Sequence, residues 1–332
     1  MKKNLKKIVK NIMPYGFIVN REQSYREKNA EIFETVEQRE LYNKFGERIH
    51  TFYLQDKLCA HQPYGFVYGR VPRNVMWDRL HPGLDIHFYT HQELLKTVGN
   101  PVKKFAYFIE SEEIVPDDYR IFEKTPGLEK EFECIFTHSD KLLNQYSNAK
   151  FLPPSGVWYG NYYSNIQMSD MQYERKQYNV SLVSSNKEYC DLHVFRKELA
   201  LSFKRNGLVD TFGTFDGGKN VLIDDTLQNY RFSIVIENKV SDYYFTEKIL
   251  NCFAAMTIPI YVGANKINEF FNEDGIIKVK ELTIEAVEKI VKHCTEEYYN
   301  EHLEAVLDNY NRVQEFICVE DFLINHYGSM LK

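Results

Sequence analysis

The stretch Tyr230–Gly263, reading YRFSIVIENKVSDYYFTEKILNCFAAMTIPIYVG, constrains the fold more than any other part of this 332-residue chain. Phe232, Ile234 and Ile236 alternate with Ser233 and Val235, the short β-branched pattern of an interior strand. Ile249, Leu250, Phe253 and Ala254 then recur at helical spacing, and Ile258, Ile260 and Val262 return to a period of two. A strand–helix–strand unit of this length is a βαβ crossover, whose strand C-terminal ends form the usual ligand crevice. Glu237, Asn238, Tyr244, Thr246, Glu247 and Lys248 all fall in that loop or on the first helical turn. So many hydrogen-bonding side chains at one end of the unit read as a site.

At this length two domains are expected. The composition, 44% hydrophobic and 27% charged, is that of a globular protein. Its 24 Tyr and 23 Phe are an excess that sugar and base sites often show, and that AT-rich coding also produces. A formal net charge of -6 argues against a general nucleic-acid binder, which needs a basic face. The cysteines at 59, 134, 190, 252, 294 and 318 form neither a CxxC pair nor a Cys/His cluster, so no zinc site or disulfide framework is indicated. Cys252, in the apolar helix, reads as a core residue. A reducing cytoplasm is the expected location.

No window is long and apolar enough for a membrane span. MKKNLKKIVKNIM instead pairs an apolar stripe (Leu5, Ile8, Val9, Ile12, Met13) with Lys2, Lys3, Lys6, Lys7 and Lys10. Two readings stay open: a basic amphipathic helix resting peripherally on an anionic membrane, and a solvated first helix packed on its own domain.

Segments 50–54, 85–89, 105–109 and 134–137 read as strands, with helical pieces at 91–97, 119–123 and 139–144. This alternation implies an α/β domain with a mainly parallel sheet. The Pro/Gly cluster LPPSGVWYGN, from Leu152 to Asn161, opens the interdomain connection. A second α/β series begins at Asn179, with a strand through Val183 and a helix over 193–206. A strand at 209–213, the Tyr230–Gly263 unit, a short strand at 275–279 and terminal helices follow. The expected division is residues 1–165, an α/β domain carrying the basic N-terminal helix, and residues 166–332, a second α/β domain with terminal helices. The ligand is expected in the cleft between them.

No GxGxxG, GxxxxGK[ST] or GxSxG occurs, so dinucleotide oxidoreductase, P-loop NTPase and α/β-hydrolase readings have no motif behind them. There is also no Asp-x-Asp of the kind metal-dependent sugar transferases use, so a metal is not expected to be essential. Asp117–Asp118 and Asp224–Asp225 read as solvated turns or helix caps.

The motifs IEN (Ile236–Asn238), YFTEK (Tyr244–Lys248) and IPIYVG (Ile258–Gly263) resemble, in order and spacing, the signature of family 10 glycosyltransferases, typified by α-1,3-fucosyltransferases. The resemblance is clearest over residues 178–280 and faint in the N-terminal half. It departs from the family's FENS at Lys239. It implies the GT-B arrangement of two Rossmann-like domains facing a cleft, a nucleotide-sugar donor held by the C-terminal one, and inversion at the anomeric carbon. Fucose moved from GDP-fucose to a saccharide hydroxyl is the implied reaction, with no cofactor. The competing readings are another nucleotide sugar, or a non-catalytic saccharide- or nucleotide-binding protein on this scaffold.

Without a metal, the charge growing on the departing diphosphate must meet fixed cations and N–H donors. Lys248, on the first turn of a helix, suits that role; otherwise it is half of an exposed charge pair. Arg196, in VFRKEL, matches the family's second phosphate-binding cation, although lone helical arginines are commonly surface residues. Glu247 is expected to accept ribose or sugar hydroxyls or to steady the oxocarbenium-like centre. Glu237 and Asn238 are expected to read sugar hydroxyls or base edges. Tyr244 is either a wall or phosphate donor, or a core aromatic. Inversion also needs a base on the face opposite the diphosphate. Glu110, after the strand FAYFI, resembles the family's ES pair, with Glu112 and Glu113 close by and Asp78 and His81 next in line. If the basic helix touches a bilayer, on the inner face of the membrane, a lipid-linked or surface-polysaccharide acceptor becomes more attractive, as in bacterial surface glycan synthesis.

Overall fold

The structure, a computed structural model, describes residues 50–56, 69–79, 81–161 and 163–332, with Ser24 alone ahead of them. The expected basic helix over residues 1–13 therefore lies outside the described residues.

Strands β1 (His50–Gln55), β2 (Val75–Asp78), β3 (Ile86–Thr90), β4 (Lys103–Tyr107), β5 (Cys134–Thr137) and β6 (Ala149–Phe151) form a parallel sheet in the order β2-β1-β3-β4-β5-β6. A second parallel sheet runs β11-β10-β9-β7-β8, built from β7 (Tyr178–Ser184), β8 (Asp210–Gly213), β9 (Tyr230–Ile236), β10 (Ile258–Val262) and β11 (Ile277–Lys278). Every residue of β9 and β10 is buried, as central parallel strands covered on both faces require. The expected α/β fold, two Rossmann-like parallel sheets, is what the chain adopts.

The strand order of the second sheet reverses between β7 and β9, and ligands of open α/β sheets bind at the carboxyl ends of strands at such a switch point. Three helices frame it: α1 (Asp191–Asn206) after β7, α2 (Ile223–Leu227) before β9, and α3 (Glu247–Ala254) between β9 and β10. α1 ends at Gly207, whose left-handed φ of 69° lets its N–H close on Phe203 O at 2.8 Å. β9 and β10 pair from Phe232↔Ile258 to Ile236↔Val262, so Glu237 and Gly263 leave the sheet side by side. Any Cβ on Gly263 would collide with the Tyr261 ring and with Glu237 Cγ, which explains the glycine that closes IPIYVG.

One apolar core runs between the sheets, from Phe52 and Phe88 on one side to Phe245, Ile249 and Phe253 on the other. Much of the aromatic excess is spent here: Phe245 lies 5.9 Å from Phe151, 5.1 Å from Phe270 and 5.7 Å from Phe316 between ring centroids. Phe245→Ala is therefore expected to destabilise the protein by about 3–5 kcal/mol, read as a lower denaturant midpoint.

The last helix, α4 (Val319–Tyr327), returns to the first sheet although it follows the second in the chain. Asp321 accepts from Arg73 N and Asn74 N at 2.8 and 3.2 Å, and Tyr327 donates to Phe151 O at 2.7 Å. Val319, Phe322 and Leu323 supply the apolar reason, since all three belong to the shared core. Residues 166–332 thus do not stay with the second sheet throughout. Among the described residues no helix is long and apolar enough to cross a membrane.

Candidate active site

A cavity of about 910 Å³ opens where the carboxyl ends of β7 and β9 face the loop after β4. Glu110, Arg196, Asn238, Tyr244, Thr246, Glu247 and Lys248 all line it, so the structure brings together every expected site residue but one.

The exception is Glu237, which is fully buried. Its carboxylate accepts from Thr246 N at 2.8 Å, Thr246 Oγ1 at 2.7 Å and Lys248 Nζ at 3.3 Å. The expectation that Glu237 reads hydroxyls or base edges is corrected: it props the N-terminus of α3 from behind. Burial raises its pKa above the ordinary carboxylate value, against the pull of Lys248. Thr246 caps α3, its hydroxyl accepting from Lys248 N at 3.4 Å.

Lys248 is more than half of a surface charge pair. Besides Glu237, Nζ reaches Thr246 Oγ1 at 3.0 Å and Glu247 Oε1 at 3.3 Å. Burial works to lower the Lys248 pKa, but Glu247 and Glu237 outweigh it and hold the amine charged. For Glu247 burial pushes upward; the charge of Lys248, its own backbone N–H and bonds from Lys248 and Ser155 outweigh that and keep it ionised.

Arg196 is not a surface residue. It is 7% exposed, donates from a terminal guanidinium nitrogen to Ile236 O at 2.7 Å, and leaves Nε buried with no hydrogen-bond partner. A buried unsatisfied donor is costly, so this one is suited to an incoming anion. Burial lowers its pKa, opposed by Glu237, and the guanidinium stays charged at neutral pH.

Across the cavity Glu110 Oε1 accepts from Ser111 N at 2.9 Å and from Tyr244 OH at 3.3 Å. Tyr119 OH donates to Glu110 O at 2.6 Å. Tyr244 is thus both a buried aromatic, 4.8 Å from the His138 ring, and a contact to the carboxylate opposite. Glu112 and Glu113 do not line the cavity; each lies 3.2 Å from Lys239 Nζ. Asp78 and His81 pair with each other at 2.7 Å, with His81 exposed, and take no part in the cavity.

Several contributors were missed from sequence. His193 accepts from Tyr189 N at Nδ1, so its Nε2 carries the proton and donates to Asn238 Oδ1 at 2.8 Å. Burial lowers its pKa, aided by Arg196 and Lys248, which keeps the ring neutral. Asn251 Oδ1 accepts from Trp158 N and Tyr159 N at 2.7 and 2.9 Å, tying the connecting segment to α3. Asp224 overturns the solvated-turn expectation: it is 7% exposed and accepts from Gly160 N at 2.8 Å and Ser164 Oγ at 2.7 Å. Asp118 likewise is buried and takes hydrogen bonds from His91 and Gln92, both at 2.6 Å, whereas Asp117 is an exposed partner of Lys124. No group of three or more metal-ligating side chains occurs among the described residues.

Known proteins bear on the second sheet most directly. Residues 173–319 match the family profile of glycosyltransferase family 10 (fucosyltransferase), C-terminal part. A fucosyltransferase-like protein of Arabidopsis thaliana is 31% identical over 107 residues, covering 31% of this chain and 20% of the relative. The chain therefore spans about a fifth of that relative's length. The crystal structure of Anabaena HepE in complex with UDP and glucose superposes at a TM-score of 0.54, with 10% identity over 85% of this chain and 98% of that one. An α1,3-fucosyltransferase crystallised with GDP superposes at 0.49, with 16% identity over 82% and 87% of the two chains. The HepE likeness shows a shared GT-B fold. The motif resemblance is borne out: residues 173–319 of this chain are a domain of glycosyltransferase family 10, the fucosyltransferase family.

Proposed function

We propose that the chain is an inverting, metal-independent glycosyltransferase that moves fucose from GDP-fucose to a saccharide hydroxyl in surface glycan synthesis. The observation that carries this reading is the unpaired, buried Nε of Arg196 beside charged Lys248 at the N-terminus of α3, with Glu110 lining the same cavity from the other sheet. The names of the family and of the Arabidopsis relative support fucose as the sugar.

In this reading the diphosphate lies against Arg196, Lys248 and the first N–H groups of α3. Glu110 takes the proton of the acceptor hydroxyl as its oxygen attacks the anomeric carbon, and the bond from that carbon to the diphosphate oxygen breaks on the far face. Negative charge then grows on the β-phosphate, where Arg196 and Lys248 meet it. Ionised Glu247 faces the sugar, and Glu237 acts only through Thr246 and Lys248.

Mixing donor and acceptor saccharides with excess chelator is expected to release GDP at the rate seen without chelator; loss of turnover on metal removal would contradict the reading. Melting-temperature shifts across a panel of nucleotides and nucleotide sugars identify the donor, because a ligand that binds only the native state raises the midpoint. HepE was crystallised with UDP and glucose on the same fold, so UDP-sugars belong in that panel.

A further inference from the structure

Lys239 occupies the position where the motif departs from its family, and the structure gives it a partner across the cleft. Its Nζ lies 3.2 Å from Glu112 Oε2 and 3.2 Å from Glu113 Oε1, the two carboxylates that follow Glu110. The loop that bears Lys239 is anchored on its own side, where Glu237 is bound by Thr246 and Lys248 and Asn238 by His193. The loop that bears Glu110 is held from below, where Tyr119 OH donates to Glu110 O and Val115 N to Ser111 O. Lys239 does not touch Glu110 itself; among the described residues the direct tie from the loop after β9 to Glu110 is the long 3.3 Å bond from Tyr244. All three groups of the bridge are roughly a quarter to a third exposed (24%, 31% and 35%). Ion pairs at such exposure add little stability, so the consequence of this one is geometric.

We propose that Lys239 is a positioning residue for Glu110: by clasping Glu112 and Glu113 it fixes the loop after β4 against the donor loop after β9. This rests on Glu110 being the base of the proposed transfer. Three neighbouring carboxylates with no cation between them would repel one another and splay the loop. With Lys239 in place, one cation offsets two of them and leaves the Glu110 carboxylate facing the cavity.

The test compares kcat, donor Kd and melting temperature in the intact chain and its variants. Lys239→Met is expected to lower kcat by roughly 10- to 100-fold, the cost of a misplaced reacting group, with donor Kd and melting temperature unchanged. Lys239→Arg is expected to keep most of the rate. Lys239→Glu combined with Glu112→Lys and Glu113→Lys is expected to recover it, and decides the matter if Lys239→Met does not fold. A wild-type kcat in Lys239→Met, a weakened donor Kd with normal kcat, or no recovery on charge reversal overturns the positioning role alone. No turnover in the unaltered chain overturns the base assignment, and the positioning role with it.

Discussion

Lys248→Met is expected to lower kcat/KM by about 10²–10³-fold, the usual cost of removing one preorganised donor from a developing anion. The effect has two sources. The substitution deletes the cation on the first turn of α3, and it leaves Glu237 and Glu247 without their common partner in the cavity proposed to receive the diphosphate. A carboxylate as buried as Glu237 does not tolerate that readily, and breaking such a pair costs about 3–5 kcal/mol of stability. The double variant Lys248→Met/Glu237→Gln separates the two effects. It is expected to regain most of the lost melting temperature while transfer stays low. If transfer returns together with stability, Lys248 acts as scaffolding for Glu237 rather than on the phosphate.

Glu110→Gln is expected to cut kcat by about 10²–10⁴-fold, the usual contribution of general base catalysis. Donor affinity should be unchanged, because Glu110 follows a strand of the first sheet, whereas Arg196 and Lys248, the proposed phosphate partners, belong to the second. The fold should be unchanged too: the amide oxygen can still accept from Ser111 N and Tyr244 OH, and Tyr119 holds the backbone carbonyl. Nucleotide titration beside steady-state kinetics reads both quantities. Retained kcat in this variant would move the base elsewhere, and with it the role of the loop after β4.

The second half was far more readable from sequence than the first. β9, α3 and β10 each carry an undiluted period, and the structure places them at 230–236, 247–254 and 258–262. β2 and β6, the two edge strands of the first sheet, were not foreseen. The piece expected at 91–97 is a short 3-10 helix, His91–Leu95, entered at His91 with a left-handed φ of 53° that residue type alone does not announce.

Within the site, motif spacing located the cavity but not the depth of each side chain. Glu237 and Glu247 look alike as letters; one is fully buried behind α3 and the other keeps a fifth of its side chain exposed. Asp224 holds Gly160 and Ser164 from 64 and 60 residues away, a pairing no local pattern could reveal. Asn251 did leave a signal, a lone amide in the apolar run Ile249–Ala254, since a buried polar group in such a place needs a partner. Lys239 was visible only as a departure from the motif. Its partners are Glu112 and Glu113, in the loop after β4 of the first sheet.

The most direct measurement is a structure of the intact chain with GDP-fucose bound. The expected result places diphosphate oxygens within hydrogen-bond distance of Arg196 Nε and Lys248 Nζ, with Glu110 on the opposite side of the anomeric carbon. A diphosphate bound away from both cations, or Glu110 on the same side as the leaving group, would contradict the site described for this chain.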